Sequence, residues 1–360
     1  MTRVHNFCAG PCTLPLSVLE EVQAELVDFR GSGMSLIEMS HRSTEYSAVH
    51  MDTLALFREV FGVPDAFSIL LLQGGATLQF AMVPMNLLGP GEQAAYVRSG
   101  TWGNGAQDDA AHHGEVYTAW DGRDLRYARM PADAELALRD GTRYLHVTSN
   151  ETIEGIRFGE FPGVDVPLVA DMSSDYLSRP IPWNRFDLVY GGVQKNLGPA
   201  GLGVVVVRDA VLERTNRDLG SYLRFDQHAA KDSLMNTPPM FAIYTMGKVL
   251  AWIRDLGGAG AMADRGARRS GAVYEAIDTS DGFYRGPAEV AHRSHMNVVF
   301  RLPDEKLDAR FAEEAAGEGL VNLKGHRSVG GIRASIYNAM PDDGVEALVN
   351  FMSSFAEANA

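Results

Sequence analysis

Gly191-Gly-Val-Gln-Lys-Asn-Leu-Gly-Pro-Ala-Gly201 sets one lysine among glycines, between two apolar runs. Asp187-Leu-Val-Tyr190 precedes it and Leu202-Gly-Val-Val-Val-Val207 follows. Both runs are short, rich in β-branched residues and bounded by breakers, which predicts buried strands. An ammonium held between two such strands loses hydration, and the neutral, nucleophilic amine becomes more accessible. Lys195 is therefore the first candidate for chemistry.

Working outward, strand-like and helical patterns alternate from about residue 16 to 258. Ser68–Gln73, Ala94–Val97, Tyr144–Thr148 and Val166–Ala170 read as strands, with helical patterns at Leu78–Leu88 and after Val97 through Ala111. That alternation predicts an α/β fold with a mostly parallel sheet covered on both faces. Pro238-Pro239 opens a helical pattern to Leu256, closed by Gly257-Gly258. The pattern then changes: a basic helix at Asp264–Ile277, a strand at Met296–Arg301, and helices at Leu307–Gly317 and Asp343–Ala356. The expectation is a large α/β domain, 16–258, and a smaller α+β domain, 259–360, with the segment 1–15 packing near the latter and the active site.

Bulk properties narrow the classes of function. The net charge of −14 argues against nonspecific nucleic-acid binding, which draws on clustered positive charge. No run of about 18 apolar residues marks a membrane span, and Met1–Phe7 lacks the apolar stretch of a signal peptide. Two cysteines exclude a disulfide framework, so a reducing, cytoplasmic setting is expected. His5, Cys8 and Cys12 lack the partners that structural zinc requires, so no metal site is expected.

Five segments place polar or glycine chemistry at predicted strand ends, where ligands collect in open α/β sheets. Gln73-Gly-Gly-Ala-Thr77 opens a helix, and Gly75, Ala76 and Thr77 offer an anion unpaired N–H groups and a hydroxyl. Trp102, in Ser99-Gly-Thr-Trp-Gly103, can present its face to a flat ring. Thr148–Gly155 is a polar run directly after a strand, and Asp171 ends the next strand, where a carboxylate is costly without a cation. Lys195 lies 24 residues further on. Together these meet the demands of pyridoxal 5′-phosphate, with a lysine for the Schiff base and a carboxylate to keep the pyridine nitrogen protonated. Opposite charges about 4 Å apart, at an effective dielectric near 20, interact by roughly 4 kcal/mol, enough to hold that proton by about 3 pK units.

The chain resembles the phosphoserine aminotransferase family, within the class V, fold-type I pyridoxal-phosphate aminotransferases. The resemblance runs through Asn6–Pro11, Gly33–Ser43, Gln73–Asn86, Thr148–Gly155, Ala170–Ser174, Gln194–Gly201, Asn236–Pro239 and Lys324–Pro341. It implies a seven-stranded, mostly parallel sheet and a homodimer with shared active sites. It makes Lys195 the Schiff-base lysine, Asp171 the pyridinium partner and Trp102 the stacking residue. Thr152 would bond the phenolic oxygen, and Ala76, Thr77 and Gln194 the phosphate, with Asn236 and Thr237 reaching in from a second subunit. The implied reaction moves an amino group between glutamate and 3-phosphohydroxypyruvate, giving O-phospho-L-serine in serine biosynthesis. 4-Phosphohydroxythreonine, in vitamin B6 synthesis, is a further candidate substrate.

Such substrates carry two anionic groups, which calls for two cationic pockets. His41, Arg42, His326, Arg327 and Arg333 are the local cations suited to them. Two positions depart from the pattern the resemblance leads one to expect. Cys8 stands where a small polar residue is usual near the substrate carboxylate, and its thiol is a weak donor. Glu151 stands beside Thr152 where a neutral residue is more usual, placing a negative charge near the cofactor unless it points away. A cysteine desulfurase would need a cysteine in the C-terminal half, and both cysteines lie at the start. A noncatalytic cofactor carrier and an alanine–glyoxylate-type transaminase are the remaining competitors; a dehydrogenase would need a dinucleotide fingerprint that is lacking.

Overall fold

The computed structural model describes residues 3–215 and 218–359. Its centre is a seven-stranded sheet: β1 (Phe67–Gln73), β2 (Gln93–Arg98), β3 (Glu115–Asp121), β4 (Thr142–Thr148), β5 (Leu168–Asp171), β6 (Phe186–Gly192) and β7 (Leu202–Arg208). The spatial order is β1-β7-β6-β5-β4-β2-β3. β7 runs antiparallel to both neighbours, and every other pairing is parallel. The α/β, mostly parallel architecture expected from the alternation is present.

Successive side chains along a strand point to opposite faces, so an unbroken apolar run suits only a strand covered twice. β7 shows this directly. Val204 and Val206 join one core with Leu71, Val147, Ala170 and Val189, while Val205 and Val207 join another with Leu70, Tyr96, Val169 and Leu188. Each such buried valine contributes about 1.5–3 kcal/mol relative to an exposed one. A third core gathers Phe7, Val273, Phe300, Phe311, Ile332 and Phe351 from the N-terminal segment and the last third of the chain.

Two short pairings attach that third core. His5–Asn6 runs parallel to Leu320–Val321, and Asn297–Phe300 runs antiparallel to Ile332–Ser335. The helix Gly258–Asp278 crosses between cores, giving Ala259 and Met262 to the first and Val273 and Ile277 to the third. The expected basic helix therefore begins six residues earlier than Asp264. Gly257 and Gly258, expected only to close the preceding helix, take φ of 103° and 72° and turn the chain straight into the next one. Strand β3 went unpredicted. Its burial alternates at the sheet edge, with Glu115, Thr118 and Asp121 exposed, so it presents no apolar run. No helix among the described residues is long and apolar enough to cross a membrane.

Candidate active site

The C-terminal ends of β1, β2, β4, β5 and β6 open around a cavity of about 320 Å³. Gly75, Ala76, Thr77, Trp102, Thr152, Asp171, Gln194 and Lys195 all line it, so the eight residues picked for the ring and phosphate from five separate segments meet at one place. Asn236 and Thr237 lie outside that lining.

Lys195 is 8 % exposed, and its Nζ donates to Thr152 Oγ1 at 2.8 Å. Burial lowers its pKa to about 8; Asp171 and Glu151 oppose that shift and Arg333 adds to it. Near neutrality the amine thus exchanges readily between its charged and nucleophilic forms. Lys195 follows directly on the loop leaving β6, and Asn338 N bonds Asn196 Oδ1 at 3.0 Å, so the loop is tied to the C-terminal region. Cys12 N bonds Gln194 O at 3.1 Å, and the Cys12 thiol donates to the Lys195 carbonyl, which ties it to the N-terminal segment as well. Burial pushes that thiol up to about 12, so Cys12 stays a neutral donor.

Thr152 passes the hydrogen-bond chain on. Its hydroxyl donates to Ser174 Oγ at 3.0 Å, and Ser174 Oγ donates to Asn150 O at 2.9 Å. Asp171 ends β5 at 4 % exposure, with Oδ1 accepting from Ser173 N at 2.8 Å and Ser173 Oγ at 2.6 Å. Burial raises its pKa despite those bonds and the Lys195 charge. Such a carboxylate is stabilised by a cation placed in the cavity.

At the other end of the cavity, Gly74 and Gly75 take φ of 93° and 64° where the chain turns from β1 into the helix Gly75–Leu87. That turn points free backbone N–H groups and the positive helix end at the cavity beside Thr77. On the side wall, Lys195 Nζ lies 5.6 Å from the Trp102 ring centroid. Trp102 Nε1 and Thr148 Oγ1 are buried without partners. An anion cradle, a buried carboxylate short of a cation, an indole wall and a buried amine together fit pyridoxal 5′-phosphate.

Trp102 sits inside the helix Thr101–Ala110, in its first turn. Gly100 offers no side chain to cap it, and two glutamates do so instead. Glu151 accepts from Ser99 Oγ, Trp102 N and Gly103 N at 2.9, 3.1 and 2.9 Å, and Glu154 accepts from Thr101 N and Oγ1 at 2.8 and 2.7 Å. Glu151 therefore points away from the cavity into a helix N-terminus. Sequence reasoning passed over Glu154 and Ser173. The visible sign was their setting in polar runs just after apolar strands, which does not distinguish a buried cap from a loop.

The substrate candidates fall into two groups. Arg333 lies on the strand Ile332–Ser335 and is partly buried; burial lowers its pKa while Tyr337, Cys8 and Glu154 raise it. Cys8, in the N-terminal segment, is thus in electrostatic range of Arg333, and its N–H bonds Asn6 Oδ1 at 3.1 Å. His326 and Arg327 occupy the loop beyond, where His326 Nδ1 lies 2.7 Å from Ser328 Oγ. In the second group Thr237 Oγ1 lies 3.3 Å from His41 Nδ1, with Arg42 and Asn236 adjacent in sequence; no residue of either group lines the Lys195 cavity.

The sequence profile of the class V aminotransferases matches residues 4–348. A phosphoserine aminotransferase of Niallia circulans is 48 % identical over 354 residues, 98 % of each chain. The solved phosphoserine aminotransferase of Bacillus circulans subsp. alkalophilus superposes with a TM-score of 0.97 at 47 % identity, covering 99 % of both chains. A solved phosphoserine aminotransferase studied for radiation damage of its Schiff base gives 0.97 at 46 %, covering 99 % of this chain and 100 % of the other. With its lysine, carboxylate and anion cradle in one cavity, the chain belongs to the class V aminotransferase family, among the phosphoserine aminotransferases.

Proposed function

We propose that the chain transfers an amino group reversibly from glutamate to 3-phosphohydroxypyruvate, giving O-phospho-L-serine and 2-oxoglutarate. The observation that carries this reading is Lys195 itself. Among lysines 195, 231, 248, 306 and 324, it is the buried one, and it shares its cavity with Asp171 and Trp102.

Bound pyridoxal 5′-phosphate supplies an electron sink for the pair released when the substrate Cα–H bond breaks. Lys195 would hold the cofactor, and its buried Nζ would take the proton from the substrate Cα and return it. Asp171, whose carboxylate accepts from Ser173, would keep a proton on the ring nitrogen. Thr152 would bond the phenolic oxygen, and Gly75, Ala76, Thr77 and Gln194 would hold the phosphate. Trp102, which lines the cavity, would cover the ring and exclude water from it. Arg333 takes the substrate carboxylate in a bidentate pair near Cys8, and His326 and Arg327 lie beside the second anionic group.

The remaining cations complete a partner's site. The resemblance assigns Asn236 and Thr237 to a second subunit, and the His41–Thr237 contact carries His41 and Arg42 with them. The working unit is a homodimer, and each chain divides into a large unit, 16–258, and a small one, 259–360, to which His5–Asn6 tethers the N-terminal segment. The cytoplasm is the compartment that suits its two free thiols.

A coupled assay with glutamate as donor tests the reaction. Turnover of 3-phosphohydroxypyruvate is expected. No amino transfer to it, or to the keto acid of 4-phosphohydroxythreonine, would overturn the named reaction while leaving the cofactor site intact.

A further inference from the structure

Glu151 and Glu154 are buried at 0 % and 8 % exposure, and both side chains converge on Gly100. A Cβ built on Gly100 would meet Glu154 Oε2 at 2.6 Å and Glu151 Cδ at 2.7 Å. The two carboxyls therefore share one small space under the Trp102 helix. Three of the four carboxyl oxygens receive donors: Glu151 Oε1 and Oε2, and Glu154 Oε1. Glu154 Oε2 is buried without a partner. Two ionised carboxylates that close cannot both be stable, because each loses hydration and repels the other. A single proton between them removes one charge and satisfies the orphaned oxygen.

We propose that Glu151 and Glu154 hold one proton between them, and that this acid pair positions Trp102 against the cofactor. The pair caps three consecutive helix N–H groups, at Thr101, Trp102 and Gly103, from the turn that also carries Thr152. One turn thus sets the indole wall and the hydroxyl that meets Lys195, fixing the two relative to each other. The remaining single negative charge lies at the positive end of the helix, where it is favoured.

Burial and then the neighbouring Glu154 raise the pKa of Glu151, and burial raises that of Glu154. The charged groups that face the pair are Lys195 on the cavity side, Arg333 toward the substrate side, and Arg126, Arg285 and Arg301 across the open cleft lined by Glu154. Tyr127, hydrogen-bonded to Asn104 of the same helix, lines that cleft too. Asp108, farther along the helix, is paired with Arg98 at 2.8 Å. The cationic surroundings stabilise one negative charge on the pair, and the shared space leaves no room for two.

The positioning of the ring rests on the cofactor reading above, whereas the shared proton does not, and the test separates them. Infrared difference spectroscopy on the holoenzyme at neutral pH should show the carbonyl band of a buried carboxylic acid. That band should vanish in Glu154→Gln and in Glu151→Gln, since each leaves one ionised carboxylate beside an amide. Glu154→Gln keeps an acceptor for Thr101, so its kcat should stay near wild type while Glu154→Ala falls by about tenfold with little change in KM. Absence of the band in wild type, or its survival in Glu154→Gln, overturns the shared proton. Equal kcat for the Gln and Ala variants overturns the positioning role. If Glu151→Gln fails to fold, the Glu154 variants still decide both points.

Discussion

Lys195 and Thr152, 2.8 Å apart, line a buried cavity, whereas His41 and Thr237, 3.3 Å apart, stand outside that cavity. The first region is buried, tied through Asn338 and Cys12 to both ends of the chain, and set at the ends of parallel strands. The second has Arg42 and Thr237 exposed and meets no part of the cavity lining. The proposed bond-making chemistry thus sits in the buried region, while the exposed region is the surface proposed to serve another copy.

The largest effect belongs to the buried region. Asp171→Asn keeps the shape and an acceptor for Ser173 but removes the charge. Losing roughly 4 kcal/mol of charge pairing predicts a fall of about a thousandfold in kcat/KM, with cofactor still bound. Steady-state kinetics with a measured cofactor stoichiometry checks it, and a loss below tenfold would detach Asp171 from the ring nitrogen.

Arg42→Ala probes the exposed region and should act through binding. Losing a charged hydrogen bond of about 1.5–3 kcal/mol raises KM for the phosphorylated keto acid by about ten- to a hundredfold. Mixing Arg42→Ala with Lys195→Ala chains should restore activity, because a mixed pair of the proposed homodimer then contains one intact site. Mixtures no more active than the parents would place Arg42 in its own chain's cavity.

The smallest effect is a pH dependence. Glu151 is raised from an ordinary 4.5 to about 8, first by burial and then by Glu154. Between those values the folded chain binds more protons than the unfolded one, so this group's contribution to stability falls as pH rises and is lost by about pH 8. Denaturant titrations across that window should show the slope in wild type and a flatter one in Glu151→Gln.

Parts of this contrast were legible in the residues. Lys195 and Asp171 stand out because a charge just after an apolar strand demands a reason, and the apolar runs at 166–170 and 187–190 marked the strands they follow. Glu154 was illegible because its partner helix starts 53 residues earlier in sequence, and only the fold brings Thr101 to it. Glu151 looked like an awkward charge near the cofactor; Trp102 N and Gly103 N turn it into a cap. The separation of His41 from the Lys195 cavity is likewise a property of three-dimensional placement, which no local pattern encodes.

Borohydride reduction of the holoenzyme, followed by peptide mapping, tests the central claim most directly. The account predicts one covalent cofactor per chain, on the peptide carrying Lys195, and none on Lys195→Ala. Labelling of Lys231, Lys248, Lys306 or Lys324 instead, or an unchanged yield in Lys195→Ala, would contradict it.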